Sequence, residues 1–489
     1  MTIRDLYLLS PELALVGLGL LVIVIDLVVK RKGIVALVGT VGLIVPIVLA
    51  GILWVDVQDS GSQVGIFGAL VVDRFALFFK FLVLVSLALV FMGSVDYMAK
   101  LPRRYGEYYG LLIFSASGMM LLAATTELVS IYISLELTTL PLVALAAFLR
   151  DDRSSEAAMK FLILAGISSA VLLYGMVLVF GFSGSTYLNE IALTVSEINV
   201  LTETPALLLG IVLIVAGFGF KISAVPFHMW VPDVYEGAPT PVVAFLSVAS
   251  KAVSFGILLR VFYIAFPSVE LDWAMLFAAL AVASMTLGNL VAISQSNIKR
   301  LLGYSAIAHA GYLLVGLAAV SSRVTDGETL GPSSILFYLG AYAVTNLTAF
   351  FAIIAISNKI ESDEIDDFAG MSRRSPMLAL SLAVSLVALI GFPPTGIFFA
   401  KIYIFSAAVN SDLLWLAIVG VLNSLISAYY YLRIVRVMYL DSATSLAQVP
   451  SSPIFRATLG ITTLTVIILG VIPGPLLRVA ESAARTLFP

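Results

Sequence analysis

Apolar stretches of about 20 residues, separated by short polar connections, run through nearly the whole chain. A helix that crosses the hydrocarbon core of a bilayer needs about 20 apolar residues. Of the 489 residues, 61% are hydrophobic and only 12% are charged, whereas about a quarter of the residues in soluble domains are charged. The sequence therefore predicts an all-α polytopic membrane protein.

About fourteen transmembrane helices are expected on this measure, and the seventh and twelfth are interrupted. The predicted starts lie near residues 11, 33, 74, 107, 127, 157, 205, 238, 272, 298, 333, 376, 412 and 455. The interruptions fall at Pro226, in KISAVPFHMWVP, and at Pro393 and Pro394, in LIGFPPTGIFF. Proline removes a backbone donor and clashes with the preceding turn. Within a bilayer, such breaks are expected where they are packed in protein or line a wet cavity.

The basic residues outside the apolar stretches predict the orientation of the chain. Those after odd-numbered helices are Lys30, Arg31, Lys32, Lys100, Arg103, Arg104, Arg150, Arg153, Lys160, Lys299, Arg300, Lys359, Arg373, Arg374, Arg433, Arg436 and Arg456; those on the opposite side are Arg4, Arg74, Arg260, Arg323, Arg478 and Arg485. Because loops rich in lysine and arginine stay in the cytoplasm, both termini are expected on the external, periplasmic side of the inner (plasma) membrane. The N-terminus lacks the positive region of a cleavable signal peptide.

The positions of the two breaks predict an internal repeat. Helices four to eight and nine to thirteen form two five-helix blocks, and the fourth helix of each block is broken. An odd number of spans inverts the second block relative to the first, and inverted repeats with discontinuous helices are typical of transporters. The predicted units are an N-terminal three-helix segment (1–100), a first repeat (101–265), a second inverted repeat (266–440) and a C-terminal helix fourteen (441–489).

Four lysines and one acid lie inside the predicted helices, where an isolated charge is costly. They are Lys80, Lys221, Lys251, Lys401 and Glu136. Glu136 is expected near the bilayer centre and Lys221 just before the break at Pro226, so that the two groups could hold each other charged. The placement fits either a static structural pair or a pair that transfers protons. The further buried lysines favour proton transfer.

Other titratable residues extend this series. Lys251 lies too deep for its ammonium to reach the interface easily, and Lys401 follows the second break. His309 is either a packing residue or a proton relay, and its titration near neutral pH suits a relay. Three residues are accessory candidates: Tyr304 as a hydroxyl step, Lys160 as a relay or a simple helix-end charge, and Lys80 as a relay or a side chain that snorkels to the surface.

The residue content excludes several kinds of chemistry. The chain has no cysteine, which excludes iron–sulfur ligation, disulfides and thiol catalysis. Its two histidines, His228 and His309, nearly exclude bis-histidine haem and three-histidine zinc sites. A net charge of −3 argues against a nucleic-acid partner. We therefore expect no cofactor and no metal in this chain, with the lipid bilayer and other membrane subunits as its partners.

Four blocks of the sequence resemble one known family. The blocks are SIYISLELTTLPL (130–142), KISAVPFHMWVPDVYEGAPTPVVAFLSVASK (221–251), NIKRLLGYSAIAHAGYLLVG (297–316) and GMSRRSPMLALSLAVSLVALIGFPPTGIFFAKIYIF (370–405). They are similar to the antiporter-like, proton-conducting membrane subunits of respiratory complex I and the related Mrp cation/proton antiporters. Lys401 lies at a position where the M-type subunit would carry glutamate, and the chain ends without the long lateral helix of the L-type subunit. Both features favour the N-type branch.

The resemblance implies proton translocation coupled to quinone reduction by NADH elsewhere in a larger complex. By this likeness, Glu136 and Lys221 match the first half-channel, Lys251 and His309 the central hydrated axis, and Lys401 the end of the second half-channel. It also implies other antiporter-like subunits as partners, with flavin, iron–sulfur clusters and quinone held elsewhere. The alternatives are a subunit of an Mrp-type sodium/proton antiporter and a purely structural membrane spacer, which would leave the buried lysines unexplained.

Overall fold

The chain is almost entirely helical in a computed structural model that describes residues 2–30, 32–101, 104–196, 204–266, 273–321, 329–442, 448–449 and 452–487. The helices are α1 (Ile3–Leu8), α2 (Ser10–Val28), α3 (Lys32–Gly42), α4 (Ile44–Ser60), α5 (Arg74–Met98), α6 (Tyr105–Ala124), α7 (Leu128–Ala146), α8 (Asp152–Ser183), α9 (Leu188–Ser196), α10 (Pro205–Ile222), α11 (Trp230–Gly237), α12 (Thr240–Phe245), α13 (Lys251–Ala265), α14 (Trp273–Ile293), α15 (Ile298–Ser321), α16 (Leu330–Ile360), α17 (Met371–Arg374), α18 (Pro376–Ile390), α19 (Gly396–Asn410), α20 (Leu414–Leu440), α21 (Pro453–Val471) and α22 (Gly474–Arg485). Two short strands, β1 (Gln63–Gly65) and β2 (Leu70–Val72), pair antiparallel between α4 and α5.

The prediction of about fourteen membrane helices is confirmed. Thirteen described stretches are long and apolar enough to cross a membrane, and the shorter apolar helices α18 and α19 together make the broken twelfth helix. The starts lie close to the predicted ones, and the largest difference is at α8, which begins at Asp152 rather than near 157. Arg31, Arg103, Arg323 and the start predicted at 272 lie outside the described residues. The inverted repeat and the domain boundaries stay predictions.

The first break separates α10 from α11. Ser223 follows α10 with a left-handed backbone, φ 66°, which ends the helix, and Pro226 has no N–H with which to resume it. The indole N–H of Trp230 donates a hydrogen bond to the carbonyl of Phe220 at 3.0 Å. A carbonyl near the helix end therefore finds a partner inside the protein, as a break at membrane depth requires.

The second break, between α18 and α19, is built from similar residues. Gly391 follows α18 at φ 90°, a conformation that favours glycine, and Pro393 and Pro394 come next. The side chain of Lys401 donates a hydrogen bond to the carbonyl of Ile390 at 2.8 Å. One of the predicted functional lysines thus satisfies the backbone of the second break.

The eighth predicted helix is continuous but not uniformly α-helical. A π-helical turn at Leu246–Ser250 joins α12 to α13. Single π turns inside α-helices are rare and frequently lie at functional sites. Here the turn directly precedes Lys251, the lysine predicted to lie near the middle of the membrane.

A buried ion pair joins α5 to α13 near the predicted external side. Both terminal nitrogens of Arg260 donate to the carboxylate of Asp73, at 3.0 and 2.9 Å, and the side chains are each only 2% exposed. Asp73 also caps α5 by accepting from the backbone N–H of Ala76 at 2.6 Å. Arg260, expected as an external basic residue, is therefore buried because a carboxylate of another helix neutralises it.

Replacement of Asp73 by asparagine is expected to destabilise the protein by about 3–5 kcal/mol, because Arg260 would stay buried without its counter-charge. Asparagine still caps a helix well, so the effect isolates the ion pair. Thermal unfolding of the detergent-solubilised protein measures the change, with Asp59→Asn, at an exposed position of α4, as the control. Equal melting temperatures for both variants would show that the pair adds no stability.

The last helix, α22, was not among the predicted spans. Its alanines Ala480, Ala483 and Ala484 are buried against the rest of the protein, whereas Arg478 and Arg485 are exposed. With one face packed on the protein and the other charged, α22 is an amphipathic surface helix of this chain. Its sequence is too polar for a span, so a search for apolar stretches could not find it.

Candidate functional site

Lys221 lies in the last turn of α10, directly before the first break, and is 8% exposed. Its ammonium donates a hydrogen bond to the hydroxyl of Thr139 on α7 at 2.6 Å. The threonine hydroxyl in turn donates to the carbonyl of Leu135 at 2.7 Å. The lysine therefore bridges from the broken helix to α7, the helix that carries the predicted acid.

Glu136 lies one turn before Thr139 on α7 and is half-buried. Its carboxylate accepts a hydrogen bond from the hydroxyl of Ser169 on α8. Among the described residues, no ion pair within 4.0 Å joins Glu136 to Lys221. The predicted acid–lysine pair is therefore not in direct contact: Thr139, one turn after Glu136 on α7, accepts the hydrogen bond of Lys221.

Lys251 leaves the start of α13 toward α15. It is 3% exposed, and its ammonium donates to the backbone carbonyl of Ala306 at 2.5 Å. One turn earlier, the hydroxyl of Ser247 accepts from the side-chain nitrogen of Asn346 at 2.7 Å. In the described part of the chain, no carboxylate lies within 4.0 Å of Lys251, so its polar surroundings are neutral groups.

His309 lies three residues after Ala306 on α15, so it shares a helix face with the group that binds Lys251. Its Nδ1 is 2.6 Å from the hydroxyl of Tyr338, and its Nε2 is 3.4 Å from the hydroxyl of Tyr431. A neutral imidazole has one donor and one acceptor nitrogen. With a hydroxyl at each nitrogen, this buried histidine can accept a proton on one side and release one on the other.

Lys401 lies on α19 and is 5% exposed. Besides the carbonyl at the second break, its ammonium donates to the hydroxyl of Ser424 on α20 at 3.0 Å. The nitrogen also lies 4.3 Å from the ring centre of Tyr312, within the range of a cation–π contact. The structure thus places the last predicted lysine against both the broken helix and α15.

Buried tyrosines lie around and between His309 and Lys401. They are Tyr312, Tyr338, Tyr342, Tyr430 and Tyr431. The rings of Tyr430 and Tyr431 are 4.4 Å apart, and the hydroxyl of Tyr430 donates to Asn289 at 3.0 Å. Asn289 donates to Tyr312 at 3.3 Å, and Ser424 donates to the same hydroxyl at 3.4 Å. Sequence reasoning missed these residues, because a tyrosine in an apolar helix is ordinary and the helical spacing of Tyr338 and Tyr342 is by itself a weak signal.

Two accessory candidates differ from the central group. Lys160 is 44% exposed and contacts Asp233 at 2.8 Å and Glu156 at 2.9 Å, which places it in a charged network at the end of α8. This position agrees with the helix-end interpretation. Tyr304 is half-buried and has no hydrogen bond to the tyrosine group within the described structure; the neighbouring Ser305 contacts Tyr431 instead.

The third accessory candidate, Lys80, is fully buried. Its ammonium lies 2.7 Å from a carboxylate oxygen of Glu12 on α2, with exposures of 0% and 3%. The snorkelling interpretation is therefore wrong, because a counter-charge within the protein holds the lysine. Glu12 was missed by sequence reasoning; the signal was a single acid in the apolar stretch SPELALVGLG.

A polar cavity of about 640 Å³ opens at the predicted cytoplasmic side. Among its lining residues are Thr240, which begins α12, and Lys299 and Asp363, which form an ion pair at 2.9 Å. The cavity therefore lies at the end of the helix that leads to Ser247 and Lys251. Within the described ranges, no group of three or more His, Cys, Asp or Glu residues could hold a metal ion.

Known proteins match the chain over nearly its whole length. A family model described as NADH:quinone oxidoreductase/Mrp antiporter, TM, matches residues 125–427, the range that contains Glu136, Lys221, Lys251, His309 and Lys401. A Dehalococcoides mccartyi protein named NADH-quinone oxidoreductase subunit N is 45% identical over 485 residues, 97% of this chain and 98% of the relative. A Moorella thermoacetica protein of the same name is 44% identical over 489 residues, 99% of each chain.

Solved structures share the fold. A chain of respiratory complex I from Thermus thermophilus has a TM-score of 0.78 and 30% identity, covering 96% of this chain and 98% of that chain. A chain of the Mrp complex from Dietzia sp. DQ12-45-1b has a TM-score of 0.84 at 18% identity, covering 100% of this chain and 98% of that chain. The Mrp likeness shows the fold alone, whereas the identity to the subunit N proteins is more than twice as high.

Proposed function

The chain belongs to the subunit N family of antiporter-like membrane subunits of NADH:quinone oxidoreductase, and on that premise we propose that it moves protons across the membrane through two half-channels joined by buried lysines. Quinone reduction elsewhere in the complex would supply the driving force. The proposal rests on this chain's own titratable groups and their hydrogen-bond partners.

A row of buried titratable side chains supports this function best. Lys221, Lys251, His309 and Lys401 come from four different helices, and each is at most 8% exposed. Charged groups at membrane depth are costly and mark ion or proton pathways. A structural spacer would not need three buried lysines whose ammonium groups, among the described residues, donate to hydroxyl and carbonyl oxygens and to no carboxylate.

The hydrogen bonds suggest a route through the second half. Protons would enter from the polar cavity beside Thr240 and reach Lys251 past Ser247 and Asn346. His309 would take the proton next, since it shares a face of α15 with the carbonyl that binds Lys251. Hydroxyl groups can accept one proton and release another, so the tyrosine group would pass it on to Lys401 with waters filling the gaps between them.

In the first half, the candidate proton-transfer groups are Lys221 and the acid Glu136. Thr139 accepts the hydrogen bond of Lys221 at 2.6 Å, and Glu136 lies one turn earlier on the same helix as Thr139. Glu136 lies between Ile133 and Leu140, which are 60% and 54% exposed. The acid is therefore close to the outer surface of this chain. A charge on a neighbouring membrane subunit would alter the influence of Glu136 on Lys221, and so the strength with which Lys221 binds its proton.

Replacement of Glu136 by glutamine is expected to lower the number of protons moved per NADH oxidised. Glutamine keeps the size of the side chain and an acceptor for Ser169, so only the charge that acts on Lys221 is removed. The measurement is dye-monitored proton uptake by vesicles that contain the assembled complex. Glu107→Gln, at an exposed position of α6, serves as the control, and equal proton yields in both variants would assign Glu136 a structural role.

We also propose the setting of this chain within its complex. Other antiporter-like subunits would flank it, and flavin, iron–sulfur clusters and quinone would be held by other subunits. Both termini would face the external side of the plasma membrane, as the basic residues predict. The support for these points is the lysine and arginine distribution and the naming of the relatives as subunits of an oxidoreductase.

A further inference from the structure

An apolar crevice lies between α4, α5, α16 and α22, apart from the row of titratable groups. Its volume is about 510 Å³, within the range of about 300–1,000 Å³ typical of ligand pockets. Among the described residues that line it, only Trp54 and Ser86 carry polar side-chain atoms. Val85 and Val479 at its edge are 47% and 37% exposed, so the crevice opens on the outer surface of this chain.

A second, charged cavity of about 710 Å³ lies at the predicted external ends of α4, α5 and α22. Among the described residues that line it are Arg74, Arg478 and Arg485, together with one acid, Glu481. Arg74 donates to the hydroxyl of Ser482 at 2.5 Å, which fixes it beside α22. Within the part of the chain that the structure describes, none of these three guanidinium groups forms an ion pair within 4.0 Å.

The two cavities are neighbours along the same three helices. Phe78 of the crevice lies one turn from Arg74 on α5, and Val479 of the crevice is adjacent to Arg478 on α22. Basic residues are sparse on the external side of membrane proteins. Three arginines that form no ion pair among the described residues therefore line a cavity beside an apolar crevice, an arrangement that suits a ligand with a negative head and an apolar tail.

We propose that the crevice and the arginines form a binding site for an anionic phospholipid of the external leaflet. The phosphate would accept hydrogen bonds from Arg74, Arg478 and Arg485, since guanidinium groups bind phosphate oxygens in a paired geometry. An acyl chain would fill the crevice and supply the dispersion contacts that an empty space would lack. A quinone would fill the crevice equally well, but it has no anionic group for the arginines.

Photolabelling of the assembled complex tests the head-group part. The complex is placed in vesicles with phosphatidylglycerol that carries a photoreactive acyl chain, or with the matched phosphatidylcholine, and labelled peptides are mapped by mass spectrometry. Phosphatidylglycerol is expected to label the crevice segments of α5 and α16 about tenfold more strongly, because charge-assisted hydrogen bonds favour the accessible anionic head group. The triple variant Arg74→Gln, Arg478→Gln, Arg485→Gln should lose this preference, whereas Arg4→Gln, an external arginine outside the cavity, should keep it.

A second variant tests the crevice and avoids any folding defect from the arginine changes. Gly51 lines the crevice, and a Cβ added there meets no atom within 4 Å, so Gly51→Leu is the variant chosen to fill the space. It should reduce crevice labelling severalfold, whereas Gly166→Leu, where an added Cβ is equally free, should not. Equal labelling by both lipids, labelling unchanged in Gly51→Leu, or stronger labelling by a photoreactive quinone would overturn the proposal. If α22 cross-links to a neighbouring subunit and carries no lipid label, the arginines bind that subunit rather than a lipid, and the proposal is overturned.

Discussion

Replacement of Lys251 by methionine is expected to stop proton transfer between the two halves of this chain while the complex still assembles. Methionine has a similar length and is apolar, so it fits the buried site. Among the described residues, no carboxylate lies within 4.0 Å of Lys251, so the replacement leaves no buried acid without its counter-charge. It therefore differs from the costly removal of one partner of a buried pair. Removal of a proton-transfer group slows the step by about 100-fold or more.

Proton uptake per NADH oxidised, in vesicles that contain the assembled complex, measures this effect. The control is Lys359→Met, which removes a lysine at the exposed end of α16 and should leave the proton yield unchanged. Native gel electrophoresis of both variants establishes that assembly is equal. If the Lys251→Met complex pumps as many protons per NADH as the Lys359→Met complex, the route does not pass through Lys251.

The fold was predictable because a bilayer imposes a length on each apolar stretch and a cost on each broken backbone. These constraints act locally in the sequence, so the spans and the breaks at Pro226 and Pro394 could be found without knowledge of the contacts. The hairpin of β1 and β2 and the surface helix α22 were not predicted. Neither needs a long apolar stretch, so neither leaves the signal on which the prediction depended.

The lysines of the site were predictable for a similar reason, since a charge within an apolar stretch stands out. The groups that connect them were not. Tyr338 and Tyr431 reach His309 from α16 and α20, far away in the sequence, and a tyrosine in an apolar helix is ordinary. The contact of Lys221 with Thr139 rather than Glu136 depends on how α7 and α10 pack, which residue spacing alone does not determine.

For Lys80 and Lys160, the position within the predicted helix was not enough to tell a functional lysine from a surface one. Both lie near the end of a helix, and both fitted a surface position or a function. Lys160 is exposed in a charged network, whereas Lys80 is buried against Glu12. The difference comes from a single acid on another helix. A buried lysine therefore has to be considered together with every acid in the neighbouring helices before it is assigned a role.

Replacement of Lys401 by arginine is expected to impair pumping about as much as replacement by alanine. Arginine keeps the positive charge but does not release its proton at physiological pH, whereas alanine removes the titratable group. If proton release is the role of Lys401, charge alone cannot replace it.

Lys160→Arg is the matched control for this prediction. Lys160 lies in a surface network with Asp233 and Glu156, where a fixed positive charge should suffice, so its pumping should stay near that of the unaltered complex. Proton yield per NADH and native gels are compared for the Lys401→Arg, Lys401→Ala and Lys160→Arg variants. Retained pumping in Lys401→Arg, with loss in Lys401→Ala, would show that Lys401 acts as a fixed charge. The second half-channel would then have to end at the hydroxyl groups of Tyr312 and Ser424.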